Sequence, residues 1–266
     1  MDAAQIVKRL LWAFVPSSSA FLYKICKRYV NQYDAENNSD PYTNGEYWFL
    51  ESVIPKCAVV FDVGANIGDW AARAVSINPN VKVHSFEPSK QTFQCLRVRA
   101  LDNVICNNCG LSSETGETTL YVFSEGAGTN SLYCRRGLGD ARQKDEEKIY
   151  LNTIDNYCQD LGLGHIDLLK VDVEGHELDV FRGGRELLQR KRIRRIQFEY
   201  GGCNIDSRTL LRDLFDFFEP YGYVFYKLYP NRLQEVPRYN QRLETYQYQN
   251  WILLSKECAS TLGKDN

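Results

Sequence analysis

The hydrophobic pattern divides the chain near residue 43. Before that point apolar positions recur at helical spacing. Phe21, Leu22, Ile25 and Tyr29 share one face of a predicted helix, and Lys24, Lys27 and Arg28 share the other. The run Pro16-Ser17-Ser18-Ser19 separates this helix from an earlier apolar stretch, Ile6 to Val15, which Lys8-Arg9 interrupts. We expect the first helix to pack on the protein's own core, with contact to a membrane or a partner as the alternative. A polar connector, Asp34 to Pro41, follows, and then Thr43 and Glu46 read as a capping pair for a helix running to Val53.

Beyond Thr43 short apolar runs rich in β-branched residues alternate with helical periods. The predicted strands are 59–63, 81–87, 103–108, 166–173, 194–200, 223–228 and 250–255. Strands alternating with helices imply a parallel sheet covered on both faces. The expected architecture is a three-layer α/β/α sandwich with a mainly parallel, seven-stranded Rossmann-like sheet. Residues 1–42 form an N-terminal helical extension, 43–257 the main domain and 258–266 a flexible tail. The last two strands read as an antiparallel pair at the sheet's edge, and one helix runs from His176 to Gln189. Segments 118–123 and 148–151 look like extra strands, and the glycine- and charge-rich stretch between them, Ser124 to Glu147, reads as a mobile loop on the substrate side.

The stretch Val59 to Trp70 carries the first chemistry. A buried strand ends in Asp62, turns through Gly64 and Gly68 and enters a helix whose N-terminus can receive an anionic group. Glu87 ends the next strand about 20 residues on, where a carboxylate accepts the hydroxyls of a ribose. A dinucleotide fingerprint wants glycine where Asn66 stands, so the pattern Asp62-x-Gly64-x-Asn66-x-Gly68 points to a different nucleoside-like cofactor. The run from Phe61 through Ala65 to Gly68, then Phe86-Glu87-Pro88, then Leu169 to Glu177, resembles the FkbM family of class I S-adenosylmethionine-dependent methyltransferases. The resemblance covers about Asn44 to about Lys256. It implies S-adenosyl-L-methionine as cofactor, held by Asp62, Gly64, Ala65, Asn66, Gly68, Glu87, Pro88 and Leu111, the last bordering the adenine. It also implies O-methylation of a hydroxyl on a sugar, glycan or secondary metabolite. The alternatives are an RNA or protein methyltransferase, or a catalytically silent protein of the same fold.

Acids and one imidazole gather at the carboxyl ends of the predicted strands: Asp172, Glu174 and Glu199, with His176 just beyond. A hydroxyl acceptor needs a base, and His176 titrates near neutrality. Asp172 and Glu199 could orient the acceptor or hold a divalent ion, though no metal site is assigned. Acids here also suit a helix N-terminus.

Composition narrows the class further. The 32 basic and 34 acidic residues leave a net charge of −2, which gives no general attraction to nucleic acid. Nine scattered cysteines read as reduced thiols in a cytoplasmic protein, Cys106-x-x-Cys109 included, since no second pair accompanies it. No run is long enough to span a bilayer.

Overall fold

The computed structural model describes residues 2–14, 19–123, 128, 130–135 and 145–260. Two helices come first, α1 (Ala3–Phe14) and α2 (Ala20–Asp34), with Ser19 capping α2 through the amide of Leu22. Next come α3 (Glu46–Val53), β1 (Val59–Val63), α4 (Asp69–Ile77), β2 (Lys82–Phe86), α5 (Lys90–Arg99) and β3 (Val104–Asn107). The short β4 (Gly110–Leu111), β5 (Gly116–Val122) and β6 (Asp145–Asn152) precede α6 (Ile154–Leu161) and β7 (Leu168–Val171). The chain continues through α7 (Glu177–Arg182), α8 (Arg185–Gln189), β8 (Arg195–Tyr200), α9 (Cys203–Ser207) and α10 (Leu211–Phe218). It closes with β9 (Tyr223–Tyr229), β10 (Arg232–Glu235), β11 (Gln249–Ser255) and α11 (Lys256–Ala259).

The main sheet has eight strands in the order β10-β9-β11-β8-β7-β1-β2-β3. Strands β3, β2, β1, β7 and β8 run parallel, and β9 to β11 are antiparallel. The eighth strand, β10, folds back on β9 as a hairpin and becomes the edge. Strands β9 and β11 pair antiparallel as expected, and β11 lies between β8 and β9, so β10 and not β11 or β9 forms the margin. The two extra strands pair with each other, and β6 also with β4, in a separate three-stranded sheet of order β4-β6-β5. Much of the stretch from Ser124 to Glu147 lies outside the described residues.

Period-two alternation sorts the strand side chains onto two faces. Phe61, Val63, Leu169, Val171, Ile196 and Phe198 face a core closed by α6, α7, α8 and α10. Val60, Val83, Leu168, Ile252 and Leu254 face a second core closed by α3 and α4. The strand order reverses between β1 and β7, and ligands in open α/β sheets gather outside that crevice.

Three local expectations change. The capping pair is absent: Gly45, at φ 101°, is the N-cap of α3, and Thr43 instead bonds Asp40 and Asn38. The amide of Glu46 is taken by Asn44 Oδ1 at 2.8 Å and that of Thr43 by the Asp40 carbonyl at 3.0 Å, so the Glu46 carboxyl has no capping role. The helix expected over 176–189 is broken at Gly183-Gly184, where a side chain on Gly183 would come within 2.0 Å of the Ser112 carbonyl. The N-terminal helices do not pack on the core: every described side chain of α1, and α2 as far as Val30, is exposed.

Candidate active site

Two clefts open at the carboxyl ends of β1, β2, β7 and β8, and they share Gly128, Asp172 and Glu174 as lining residues. The first runs along the loops after β1 and β2. Gly64, Asn66, Glu87, Pro88 and Leu111 line it, with Ile149, Leu151 and Leu120 forming an apolar wall opposite. Backbone amides hold the Glu87 carboxylate: Oε2 accepts from the Asn66 N–H and Oε1 from the Ser89 N–H, both at 3.0 Å. A carboxylate has room for about four donors, so two more can approach from the cleft. Burial pushes Glu87 up to about 7, against the pull of those two amides.

Asp62, Ala65 and Gly68 support this cleft and do not line it. The Ala65 amide bonds the Phe86 carbonyl, tying the loop to β2. Gly64 has a reason that the local sequence does not show. At φ 81° its missing side chain would lie 1.8 Å from the Asp172 carbonyl, so the two loops meet there. The close approach expected of a ligand is made by the protein's own backbone.

The second cleft takes its polar groups from the α3–α4 face of the sheet. Asp62 pairs in register with Lys170, and Lys170 with Gln197. Alternation then puts Asp172 and Glu199 on that same face. Lys170 Nζ, almost fully buried, lies 3.5 Å from Asp62 and 3.3 Å from Asp172. It also stands 6.0 Å from the centre of the Trp70 ring. Burial works against the ammonium, yet Asp172, Asp62, Glu46 and Glu199 together outweigh it and hold the lysine charged. Glu46 and Asp62 are raised, chiefly by burial and against Lys170's charge. Glu199 lies well above its ordinary value because of burial and then the charges of Asp172 and Glu46. The Tyr248 hydroxyl donates to Glu199 Oε1 at 2.5 Å.

Glu174 stands at the junction of the clefts. Its backbone is left-handed, at φ 54°, a conformation that costs a non-glycine residue about 1–3 kcal/mol. The turn aims its carboxylate at Arg135, 2.5 Å away, and its carbonyl accepts from the Ser131 hydroxyl at 2.8 Å. Burial and the neighbouring Asp172 charge push Glu174 up to about 8, against Arg135.

His176 lines the first cleft and not the second. Both ring nitrogens are engaged, Nε2 with the Ser112 hydroxyl at 2.9 Å and Nδ1 with the Tyr133 hydroxyl at 3.0 Å. Burial lowers its pKa, which favours a neutral ring. The other two histidines are taken up elsewhere. His84 bonds the Tyr157 hydroxyl inside the core, and His165 lies beside Asp167. Among the described residues no group of three or more His, Cys, Asp or Glu side chains is disposed to hold a metal ion.

The motif reading placed Asp172, Glu174 and Glu199 at this edge, and the structure brings them together. It missed Lys170, Arg135, Trp70 and Tyr248, and it gave Glu46 mainly a capping role. The signal for Lys170 was present as strand alternation, since Lys170 and Asp172 stand two apart. Arg135 carries no comparable signal.

A sequence model described as the Methyltransferase FkbM domain matches residues 62–225. The chain belongs to the FkbM methyltransferase family. Relatives of the chain include "Methyltransferase sdnD" of Sordaria araneosa, 33% identical over 159 residues, covering 49% of this chain and 61% of the relative. Another is "2-O-methyltransferase NoeI" of Sinorhizobium fredii, 26% identical over 59% of this chain and 70% of the relative. A third is "31-O-demethyl-FK506 methyltransferase FkbM" of Streptomyces tacrolimicus, 28% identical over 47% of this chain and 58% of the relative. The chain thus spans about three fifths of the length of the Sordaria and Streptomyces relatives. A solved FkbM methyltransferase from Methylobacillus flagellatus aligns with a TM-score of 0.46 at 16% identity, over 74% of this chain and 43% of that one.

Proposed function

We propose that this FkbM-family chain is an S-adenosylmethionine-dependent O-methyltransferase acting on a hydroxyl of a sugar, glycan or secondary metabolite. The observation that carries the reading is the meeting of two chemically different clefts at Asp172 and Glu174. The residues of the first cleft fit the cofactor by their donor and acceptor chemistry. Glu87 offers a carboxylate for vicinal hydroxyls, and Leu111, Ile149 and Leu151 offer an apolar slot for a base. The adjoining acid Asp172 suits a cationic group. When bound, the cofactor supplies an electrophilic methyl group.

The chain's own residues do the rest. The second cleft takes the acceptor, where Glu199 and Glu46, raised by burial, can each donate or accept a hydrogen bond to hydroxyls. Glu174 is the general base, because it touches both clefts and its pKa of about 8 lies near an ordinary working pH. Arg135 orients its carboxylate. Asp172 aligns the acceptor, and Lys170 balances the crowded acids. His176, with both nitrogens engaged on the cofactor side, positions the loop after β7 and removes no proton. Relatives named for O-methylation of defined hydroxyls support the acceptor class.

Incubation with methyl-labelled cofactor and a panel of polyhydroxylated acceptors, followed by mass spectrometry, tests this. Label is expected on oxygen, with turnover that survives a chelator because Lys170 already supplies the cation beside Asp172. Label on nitrogen of RNA or protein would overturn the acceptor class, and chelator-sensitive turnover restored by Mg²⁺ would replace Lys170 with a metal.

A further inference from the structure

We propose that α1 and α2 form a docking surface for an anionic lipid bilayer. On α1, Ile6, Val7, Leu10 and Leu11 lie along one face, with Lys8 and Arg9 off it. On α2, Leu22, Ile25, Tyr29 and Tyr33 share one face, with Lys24, Lys27 and Arg28 opposite. These apolar faces are open to solvent, to the extent of 55% for Leu11 and 49% for Ile25, and the aromatic rings of Trp12 and Phe21 stand exposed at their margins, near the basic residues. Helices with an apolar face, a basic face and interfacial aromatics lie in the plane of a membrane surface.

Charge fixes the kind of surface. Residues 1–34, through the end of α2, hold five basic side chains and two acids, a net charge of +3, while the remaining residues carry −5. The positive charge is therefore concentrated on the two helices whose apolar faces are bare. Neither helix, at 12 and 15 residues, is long enough to cross a bilayer, so the pair rests on the surface. A second copy docked on the apolar faces would bring together two helix pairs of the same net positive charge, which opposes that pairing.

The helices are fastened to the catalytic domain close to the second cleft. Glu36, buried just past α2, lies 3.4 Å from Lys227 Nζ. The Asn37 amide donates to the Tyr248 carbonyl at 2.9 Å, and Tyr248's hydroxyl holds Glu199. Docking would thus set the orientation of the cleft that takes the acceptor.

Co-sedimentation of the full chain with vesicles is the test. The chain is expected to bind vesicles containing phosphatidylglycerol, to ignore phosphatidylcholine alone, and to release as salt is raised. Neutralising Lys24, Lys27 and Arg28 to Gln should weaken binding about a hundredfold, at about fivefold per charge. Leu10→Glu with Ile25→Glu should abolish it while leaving the thermal unfolding midpoint unchanged, since both side chains are exposed. Equal binding to neutral vesicles, insensitivity to the charge changes, or no vesicle binding would overturn the proposal. So would a stable dimer in solution that Leu10→Glu dissolves.

Discussion

The two clefts are built by opposite strategies. The first holds its central acid with backbone amides that belong to consecutive loops: Asn66 and Ser89 fix Glu87, and the chain between β1 and α5 supplies much of the rest. The second is assembled from side chains far apart in sequence, with Glu46 from α3, Lys170 and Asp172 around β7, and Glu199 and Tyr248 from the far side. Backbone donors make a site whose geometry survives many side-chain changes. Side-chain acids stacked around one lysine make a site whose charge balance depends on each member. The first suits a cofactor common to a family, and the second an acceptor that differs between its members.

The comparison breaks most sharply at the junction. Glu174→Gln should lower kcat by roughly 10²–10⁴-fold, the ordinary contribution of a general base, while S-adenosylhomocysteine affinity stays within about twofold. Single-turnover kinetics and calorimetry on the same preparation would show both. An equal loss from His176→Ala, with Glu174→Gln near wild type, would move the base to the histidine.

Lys170→Met tests whether the second cleft depends on its buried lysine. Removing it strands Asp62 and Asp172 without their partner, and breaking a buried pair costs about 3–5 kcal/mol. Urea unfolding should report a loss of that order, whereas an unchanged midpoint would mean that the acids are neutral without it.

A smaller effect should appear in the pH dependence. Glu87, Glu174 and Glu177 are raised by burial from 4.5 to about 7, 8 and 7. The folded chain therefore binds more protons than the unfolded one, and stability falls as pH rises through that window. His84, lowered by burial from 6.5 to about 4, acts in the opposite sense below 6.5. Between pH 6.5 and 8 the carboxyls are unopposed by it, and the thermal midpoint of the ligand-free protein should decline. A rising midpoint over that interval would show that these acids are ionised and well paired.

Much of the first cleft was legible in the sequence because its parts are contiguous. Gly64, Asn66 and Glu87 sit within a short span whose strand, turn and helix follow from local rules. Less of the second was legible, because Glu46 and Tyr248 reach it only through tertiary packing. Glu46 in particular fitted a helix cap until Gly45 took that place. Lys170 was readable in principle from the two-residue spacing to Asp172, but a lysine inside an apolar strand gives no local hint of which acids surround it. The break at Gly183-Gly184 likewise answers a distant carbonyl, that of Ser112. Amphipathic spacing marked an apolar face on α2 and could not say that the core leaves both N-terminal helices uncovered.

The central claim is that a nucleoside cofactor lies in the first cleft with its hydroxyls on Glu87, independently of the acids that serve the acceptor. Calorimetry of S-adenosylhomocysteine against the wild-type chain, Glu87→Ala and Glu199→Gln tests it directly. Binding to the wild type should weaken by about 1–3 kcal/mol in Glu87→Ala, as lost hydrogen bonds to a charged group predict, and hold steady in Glu199→Gln. Binding of NAD in its place, or equal losses in both variants, would contradict the account.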